Sequence, residues 1–275
     1  MRVWVLGTGS SGNALVVDAG ETRIWLDAGI GPKNASIRMR SLGGDLFPRG
    51  IDGIVVTHEH GDHAAQLESL GRAFSLTKRD HGEPRIHLHE GIDGIPAARV
   101  RHRFATARFD LGRPLTIGAI VVEAVAIVHD APQVAIRVSS GGVSFGYATD
   151  LGSISNGLAA FLASCDTILL EANYCPLLLS ESAYPLKLKR RIASATGHLS
   201  NEQAGELVGQ IAKLGRPRVV LCHLSRENNE PELARKVVQS ASRECTVSVL
   251  GHGEPRVLDI VRSPSRAAKQ LSLPL

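Results

Sequence analysis

The sequence predicts an α+β chain arranged as an αββα sandwich, two mixed β-sheets with helices outside them. Two observations lead there. Short β-type runs occur in two stretches, and each stretch is followed by helix-forming segments. No linker rich in Pro, Gly or Ser divides the parts, so residues 1–262 read as one domain, with 263–275 a polar tail lacking periodicity.

The first strands are Arg2 to Leu6, Ala14 to Asp18, Arg23 to Asp27 and Gly53 to Thr57. Between the last two, Pro32 to Leu42 predicts a helix, with proline at its start and Gly43-Gly44 after its end. A polar loop follows Thr57, then a helix from about Ala64 to Leu70. The middle third, Arg85 to Tyr147, reads as further short strands, clearest at Ala119 to Val128 and Gln133 to Val138. The final third alternates: helix near Ser155 to Ala163, strand Thr167 to Glu171, and helices Tyr184 to Ser194 and Asn201 to Leu214. It continues with strand Arg218 to Cys222, helix Pro231 to Ser240 and strand Thr246 to Leu250. Ser200 followed by Gln203 is a capping box that sets the start of the Asn201 helix.

Near the N-terminus, Gly7-Thr8-Gly9-Ser10-Ser11-Gly12 spells G-x-G-x-x-G behind a strand, and Asp27 stands where a dinucleotide site would place a carboxylate for ribose. That reading requires a helix after the glycines, whose amides would face pyrophosphate. The following Asn13-Ala14-Leu15-Val16-Val17-Asp18 is β-type instead, so the segment is a hairpin turn. Ser10, Ser11 and Asn13 could then offer hydrogen bonds to a substrate phosphate, or the turn could be only a turn.

Composition narrows the class. The net charge is +4, which favours an anionic partner without resembling a histone. Cys165, Cys175, Cys222 and Cys245 are widely spaced and form no C-x-x-C pair, which predicts a reduced, cytoplasmic protein. No apolar run reaches the ~18 residues of a membrane span, and no cleavable leader is read at the N-terminus.

The strongest chemical signal is Ile54-Val55-Val56-Thr57-His58-Glu59-His60-Gly61-Asp62-His63. Residues two apart at a strand end point the same way, so His58 and His60 can grip one ion, while Asp62 and His63, past the turn at Gly61, can face a second. Crowding such side chains without a cation is costly. Further ligand candidates close other apolar runs: His129, Asp150 and His223. The His87-x-His89 pair lacks an adjacent Asp-His and reads as strand or loop.

His58-x-His60-x-Asp62-His63 followed by His129, Asp150 and His223 resembles the metallo-β-lactamase superfamily, whose fold is the αββα sandwich. Four further stretches are similar to the YycJ/WalJ family of metal-dependent DNA 5′-to-3′ exonucleases: residues 7–13, 186–192, Gly197-His198-Leu199-Ser200-Asn201, and 223–229. The resemblance runs from about residue 2 to 260. It implies His58, His60 and His129 on one divalent metal, Asp62, His63 and His223 on another, Asp150 bridging, and Asp27 supporting the ligand loop. Zinc or manganese suits that donor set.

The implied reaction is hydrolysis of a phosphodiester, with DNA ahead of RNA, by a hydroxide held between two metals and oriented by Asp62. Resemblance to RNase Z-like enzymes makes His198 a proton or hydrogen-bond donor to the phosphate or the leaving oxygen. Lys187, Lys189 and Arg190, with Arg191, would form a phosphate-tracking strip if they are more than a solvated helix face. Ser225, Asn228 and Asn229 could contact a terminal phosphate or cap the loop before Pro231. Two departures bear on substrate. Ala172-Asn173-Tyr174-Cys175 replaces a common Asn-His-Asp run, and Leu76 to Arg99 is unlike the family pattern. The competing readings are a small-molecule hydrolase of the same fold, such as a cyclic phosphodiesterase, thioesterase or lactonase, and a non-catalytic metal-binding regulator.

Overall fold

Short, nearly continuous apolar runs rich in β-branched residues set the strands, and three- and four-residue apolar spacing sets the helices. The computed structural model describes residues 1–47, 49–75 and 84–263. In chain order the first elements are β1 (Arg2–Gly7), β2 (Ala14–Ala19), β3 (Thr22–Leu26), α1 (Pro32–Ser41), β4 (Gly53–Val56), α2 (Gly61–Ala64) and α3 (Leu67–Ser75). Then come β5 (Arg85–His89), α4 (Ile95–Arg101), β6 (Thr106–Phe109), β7 (Leu115–Ile117), β8 (Ile120–Ile127), β9 (Gln133–Ser140) and β10 (Val143–Ala148). The last are α5 (Leu158–Ala163), β11 (Thr167–Glu171), α6 (Pro176–Glu181), α7 (Leu186–Ile192), α8 (Asn201–Ala212), β12 (Arg218–Cys222), α9 (Pro231–Ala241), β13 (Val247–Val249) and β14 (Arg256–Asp259).

Among the described residues these strands make two mixed seven-stranded sheets, of order β14-β1-β2-β3-β4-β5-β6 and β13-β12-β11-β10-β9-β8-β7. The α+β class and the two mixed sheets are those the sequence predicts. The chain divides into two compact units, the first made of Met1–Ala124, Ala131–Val134 and Gly253–Asp259, the second of the rest.

In the first unit β3 to β6 run parallel. Trp4 and Leu6 of β1, Trp25 of β3 and Ile54 and Val56 of β4 share a core with Ala35 and Met39 of α1 and Leu67, Leu70 and Phe74 of α3. Trp25 and Phe74 pack with ring centroids 5.8 Å apart. Each of the larger aliphatic side chains stabilises the unit by about 1.5–3 kcal/mol when taken out of water.

In the second unit β10, β11, β12 and β13 run parallel. Leu170 pairs with Ala148 and Leu221, and Glu171 with Cys222, so the C-terminal ends of β10, β11 and β12 form one edge. The core joins Ile168, Leu170, Val219 and Leu221 to Leu162 of α5, Leu207 and Ile211 of α8, and Val238 of α9. Ligand sites favour the carboxyl ends of parallel strands, because the chain leaves the sheet there and can present side chains.

Some boundaries differ from the sequence reading. The helix expected at 64–70 is instead a single turn, α2, that carries Asp62 and His63, followed by α3. Elements α4 and α6 appear where strands or loops were expected, each opening on a proline in its first turn. Helix α7 starts at Leu186 because Pro185 occupies its N-cap. Strand β14 was not read from the sequence; it pairs antiparallel with β1. The tail expectation and the Leu76 end of the unusual segment fall mostly outside the described residues.

Candidate metal centre

In the first unit β4 delivers the chain into His58, and α2 turns it so that four donor side chains lie close together. The His58 ring lies 4.2 Å from that of His63 and 4.7 Å from that of His60, centroid to centroid. Two imidazolium charges at about 4 Å repel by about 4 kcal/mol even at an effective dielectric of 20. The His58 and His63 pair therefore suits neutral rings around a cation.

Each ring has an orienting partner. His63 Nδ1 lies 2.7 Å from Asp27 Oδ2, and Asp27 Oδ1 accepts from the N–H of Thr57 at 2.8 Å and from its hydroxyl at 2.9 Å. A proton on Nδ1 shared with Asp27 leaves Nε2 with the lone pair that a metal would take. His58 Nδ1 lies 3.2 Å from Thr57 Oγ1. Asn13 is fully buried: its Oδ1 accepts from Gly9 N–H at 2.8 Å, and its Nδ2 lies 3.2 Å from the Asp62 carbonyl and 2.7 Å from His63 Nε2.

The backbone joins the same hub. Asn13 N–H donates to the Asp62 carbonyl at 2.7 Å, and Gly29 N–H to the Asn13 carbonyl at 2.9 Å. A Cβ at Gly29 would stand 1.8 Å from the Asp62 carbonyl oxygen, so only glycine fits there.

Two residues the sequence left without a role hold this loop from its other side. His89 Nε2 lies 3.0 Å from the Thr57 carbonyl, and its Nδ1 accepts from Gly91 N–H at 3.2 Å, which makes it a neutral strut rather than a ligand. Burial pushes its pKa down, against the opposing bond to Thr57. The Glu59 carboxylate, between the two motif histidines, accepts from the N–H groups of Asp93, Gly94 and Ala97 at the start of α4. A Cβ at Gly94 would lie 2.6 Å from Glu59 Oε2, so a larger residue there would push the carboxylate off these N–H groups.

In the second unit donors come from separated parts of the chain, the ends of three strands and the turn before α8. Asp150, Glu171, His198 and His223 bring one ligand atom each within 4.8 Å of the others. Glu171, wholly buried at the end of β11, is the hub. It accepts from the N–H of Asp150 at 2.8 Å and of Leu199 at 2.8 Å, and its Oε2 lies 3.1 Å from His198 Nδ1 and 3.0 Å from His223 Nδ1. Burial alone would raise the Glu171 pKa. The His198 charge and hydrogen bonds from His198 and His223 prevail and hold it at about 2. For His198 burial disfavours the charged ring, but Glu171 outweighs it and the pKa is raised. His129 Nδ1 lies 3.2 Å from the Gly197 carbonyl and its Nε2 3.2 Å from Asp130 Oδ1.

Among the described non-glycine residues, those with left-handed backbone are Asp27, Asp150 and His223, at φ 58°, 57° and 56°. Such a conformation costs an L-residue about 1–2 kcal/mol. Its confinement to these three strand ends marks where the chain is bent to aim a side chain.

The remaining sequence candidates are placed as follows. Ser10 and Ser11 are exposed on the turn before Asn13. Lys189 Nζ donates to the Ser180 carbonyl and Arg191 pairs with Asp130, while Lys187 and Arg190 stand exposed on α7. Ser225 Oγ accepts from Asn228 N–H at 3.2 Å, and the Asn229 amide bonds Asn201 and the Ala172 carbonyl, so both asparagines are buried in the loop before α9. In the departure segment the Asn173 and Cys175 N–H groups donate to Leu199 and Asn228 carbonyls, tying the His198 turn and the His223 loop by backbone. Cys222 is buried, with its thiol pKa raised well above the ordinary value by burial. Glu171 is the main residue the sequence reading missed. Its signal is a lone carboxylate closing the otherwise apolar Thr167-Ile168-Leu169-Leu170.

Comparison with known proteins accords with this donor chemistry. A family model described as a Beta-lactamase superfamily domain matches residues 22–224. The chain is 30% identical over 241 residues to an exodeoxyribonuclease YycJ of Bacillus anthracis, covering 87% of this chain and 88% of that one. It is 29% identical over 251 residues to an exodeoxyribonuclease WalJ of Streptococcus pneumoniae, covering 89% of each. In fold it is similar to the metallo-β-lactamase fold protein YhfI from Bacillus subtilis, with TM-score 0.69, 18% identity, and 94% of this chain and 99% of that one covered.

Proposed function

We propose, from the premise that this chain belongs to the β-lactamase superfamily and is a metal-dependent hydrolase, that it cleaves phosphodiester bonds of nucleic acid, as a DNA exonuclease of 5′-to-3′ polarity. The observation that carries this reading is the complete donor set. Every ligand the family pattern calls for is present, and His58, His63, His198 and His223 each lie against an orienting oxygen within their own unit. Crowded imidazoles and carboxylates fit divalent ions of the zinc or manganese type.

By the family resemblance, His58, His60 and His129 would hold one ion and Asp62, His63 and His223 a second, with Asp150 a ligand as well. When bound, the two ions supply a hydroxide nucleophile near neutral pH and neutralise phosphate charge. The chain's own residues do the rest. Asp27, Thr57 and Asn13 hold the donor loop. Asp62 orients the nucleophile by accepting its hydrogen bond. His198, its Nδ1 engaged by Glu171, offers Nε2 as the proton donor to the leaving oxygen. Lys187 and Arg190 on α7 contribute charge toward a polyanion. No described helix is long and apolar enough to cross a membrane, and we assign the protein to the cytoplasm on its thiol chemistry.

The test titrates zinc or manganese into metal-stripped protein with 5′-phosphorylated duplex and single-stranded DNA, RNA, and bis(p-nitrophenyl) phosphate. We expect metal-dependent release of nucleotides from DNA, abolished by His60→Ala. Turnover of small esters without any nuclease activity would replace this reading with a small-molecule hydrolase, and failure to bind metal would overturn the mechanism altogether.

A further inference from the structure

Beside the donor loop, and wholly within the first unit, lies an open cleft of about 530 Å³. It is lined by residues 29–31 and by the polar Ser11, Lys33, Asn34, Arg38, Gln66 and Ser69. No carboxylate lines it. Several other arginines of this unit do have carboxylate partners: Arg40 with Asp45, Arg49 with Asp18, Arg72 and Arg103 with Glu68, Arg101 and Arg108 with Asp93. Lys33 and Arg38 have no carboxylate partner among the described residues. Arg38 is anchored by one N–H to the Leu6 carbonyl at 2.7 Å, which holds the guanidinium in place and leaves other donors of its fork.

The cleft shares its backbone with the donor loop. Gly29 N–H donates to the Asn13 carbonyl, Ala28 N–H to the His63 carbonyl and Gln66 N–H to the Ala28 carbonyl, so the lining residues Gly29 and Gln66 are each a hydrogen bond or two from the candidate ligands. Hydroxyls, amides and two uncompensated cations around a space larger than a bare phosphate needs describe a receptor for a phosphate carried on a sugar.

We propose that this cleft binds one backbone phosphate, with its sugar, of the nucleic-acid strand at a position other than the one being cleaved. The proposal rests on the nuclease reading and adds a strand-holding subsite to it. Contact with the phosphate is electrostatic and indifferent to base sequence.

The experiment uses the metal-loaded full chain and compares Lys33→Glu and Lys33→Ala with wild type on a single-stranded DNA oligonucleotide and on bis(p-nitrophenyl) phosphate. Lys213→Glu, an exposed lysine just past α8, supplies the same charge change outside the cleft. For Lys33→Glu we expect KM for the oligonucleotide to rise about tenfold with kcat within about twofold, and small-ester kinetics to be unchanged. For Lys33→Ala the salt dependence of log(kcat/KM) should flatten by about 0.7, the increment of one single-strand phosphate. Deoxynucleoside monophosphate should inhibit wild type more strongly than inorganic phosphate does, and Lys33→Glu should lose that difference. An active nuclease whose oligonucleotide KM and salt slope ignore Lys33 would overturn the subsite alone. So would a Lys213→Glu effect equal to that of Lys33→Glu, which would reduce the effect to net charge. A wild-type enzyme active on the small ester but not on DNA would overturn the nuclease reading, and the subsite with it.

Discussion

The two units prepare their donor side chains in opposite ways. The first gathers His58, His60, Asp62 and His63 into one short run and braces it from several directions: Asp27 and Thr57 beneath, Asn13 from the glycine turn, His89 from β5, and Glu59 toward α4. The second draws Asp150, His198 and His223 from separated parts of the chain and ties them through one buried carboxylate, Glu171. A clustered motif with several braces tolerates the loss of one. A dispersed set with one hub does not.

The largest expected effect tests that asymmetry. Glu171→Gln removes the charge that orients His198 and His223 and turns an amide N–H toward groups that need an acceptor. Loss of an orienting partner costs about 10–100-fold per ligand, and misplacing a proton donor costs about 10²-fold or more, so kcat/KM for bis(p-nitrophenyl) phosphate should fall about 10³-fold or further. Asp27→Asn, which disturbs one of several braces, should lose about 10–100-fold. Chelator competition, read as metal affinity, should rank the two variants in the same order. Equal losses would break the comparison.

This contrast also explains what was legible beforehand. The first unit's donors stand within six positions at the end of an apolar strand, and period-two spacing at a strand end is a local signal, as is the Ser200 and Gln203 capping box. The parallel order of β10, β11 and β12 places Asp150 and His223 on one edge, which their position at strand ends foreshadows. Glu171 was not legible because its meaning lies in partners 21 to 52 residues away. Asn13 looked like a substrate contact, since sequence shows an amide on a turn and not its burial against Asp62. Helix α4 was hidden because its seven residues, Ile95–Arg101, carry too few turns to show a period, and its first N–H groups are held by Glu59 from a remote loop.

A second test exploits a buried titratable side chain that the bracing does not use. His87 is buried in β5, with no hydrogen-bond partner for Nδ1 among the described residues. Burial, and then the charge of Arg85, lower its pKa from 6.5 to about 4. Because the folded value lies below the unfolded one, the stability from keeping this ring neutral is complete above about pH 6.5. It is lost as pH falls from 6.5 toward 4, since the unfolded chain takes the proton first. The full shift corresponds to about 3 kcal/mol, of which about 2 is lost between pH 7 and pH 5. Urea unfolding at the two pH values should show that loss in wild type and much less of it in His87→Leu. An unchanged pH slope in the variant would move the acid sensitivity elsewhere.

A smaller effect is expected at His89, which shows how redundant the first unit is. His89→Leu leaves the Thr57 carbonyl without its donor, while the Thr57 N–H and hydroxyl still hold Asp27. Metal affinity should weaken by about tenfold, the low end for an outer hydrogen-bond partner, and His89→Gln, which keeps a donor, should recover part of it. A loss matching that of Glu171→Gln would make His89 a second hub and remove the distinction between the units.

The smallest effect sharpens the comparison from the other side. Ser200 caps α8 immediately after the His198 turn, with Gln203 N–H donating to its Oγ at 3.2 Å and Ser200 N–H donating to Gln203 Oε1 at 2.9 Å. Replacing a serine cap by alanine costs about 1 kcal/mol, which should appear as a modest fall in unfolding midpoint for Ser200→Ala. Activity should move less than twofold, because the cap does not hold His198 in place. Its ring is held by Glu171, and the next residue, Leu199, is fixed by its N–H to Glu171 at 2.8 Å and by its carbonyl to Asn173 at 3.0 Å. If kcat fell tenfold or more in a variant that still folds, the orientation of His198 would run through the helix cap as well, and Glu171 would no longer be the side chain that alone orients the His198 ring.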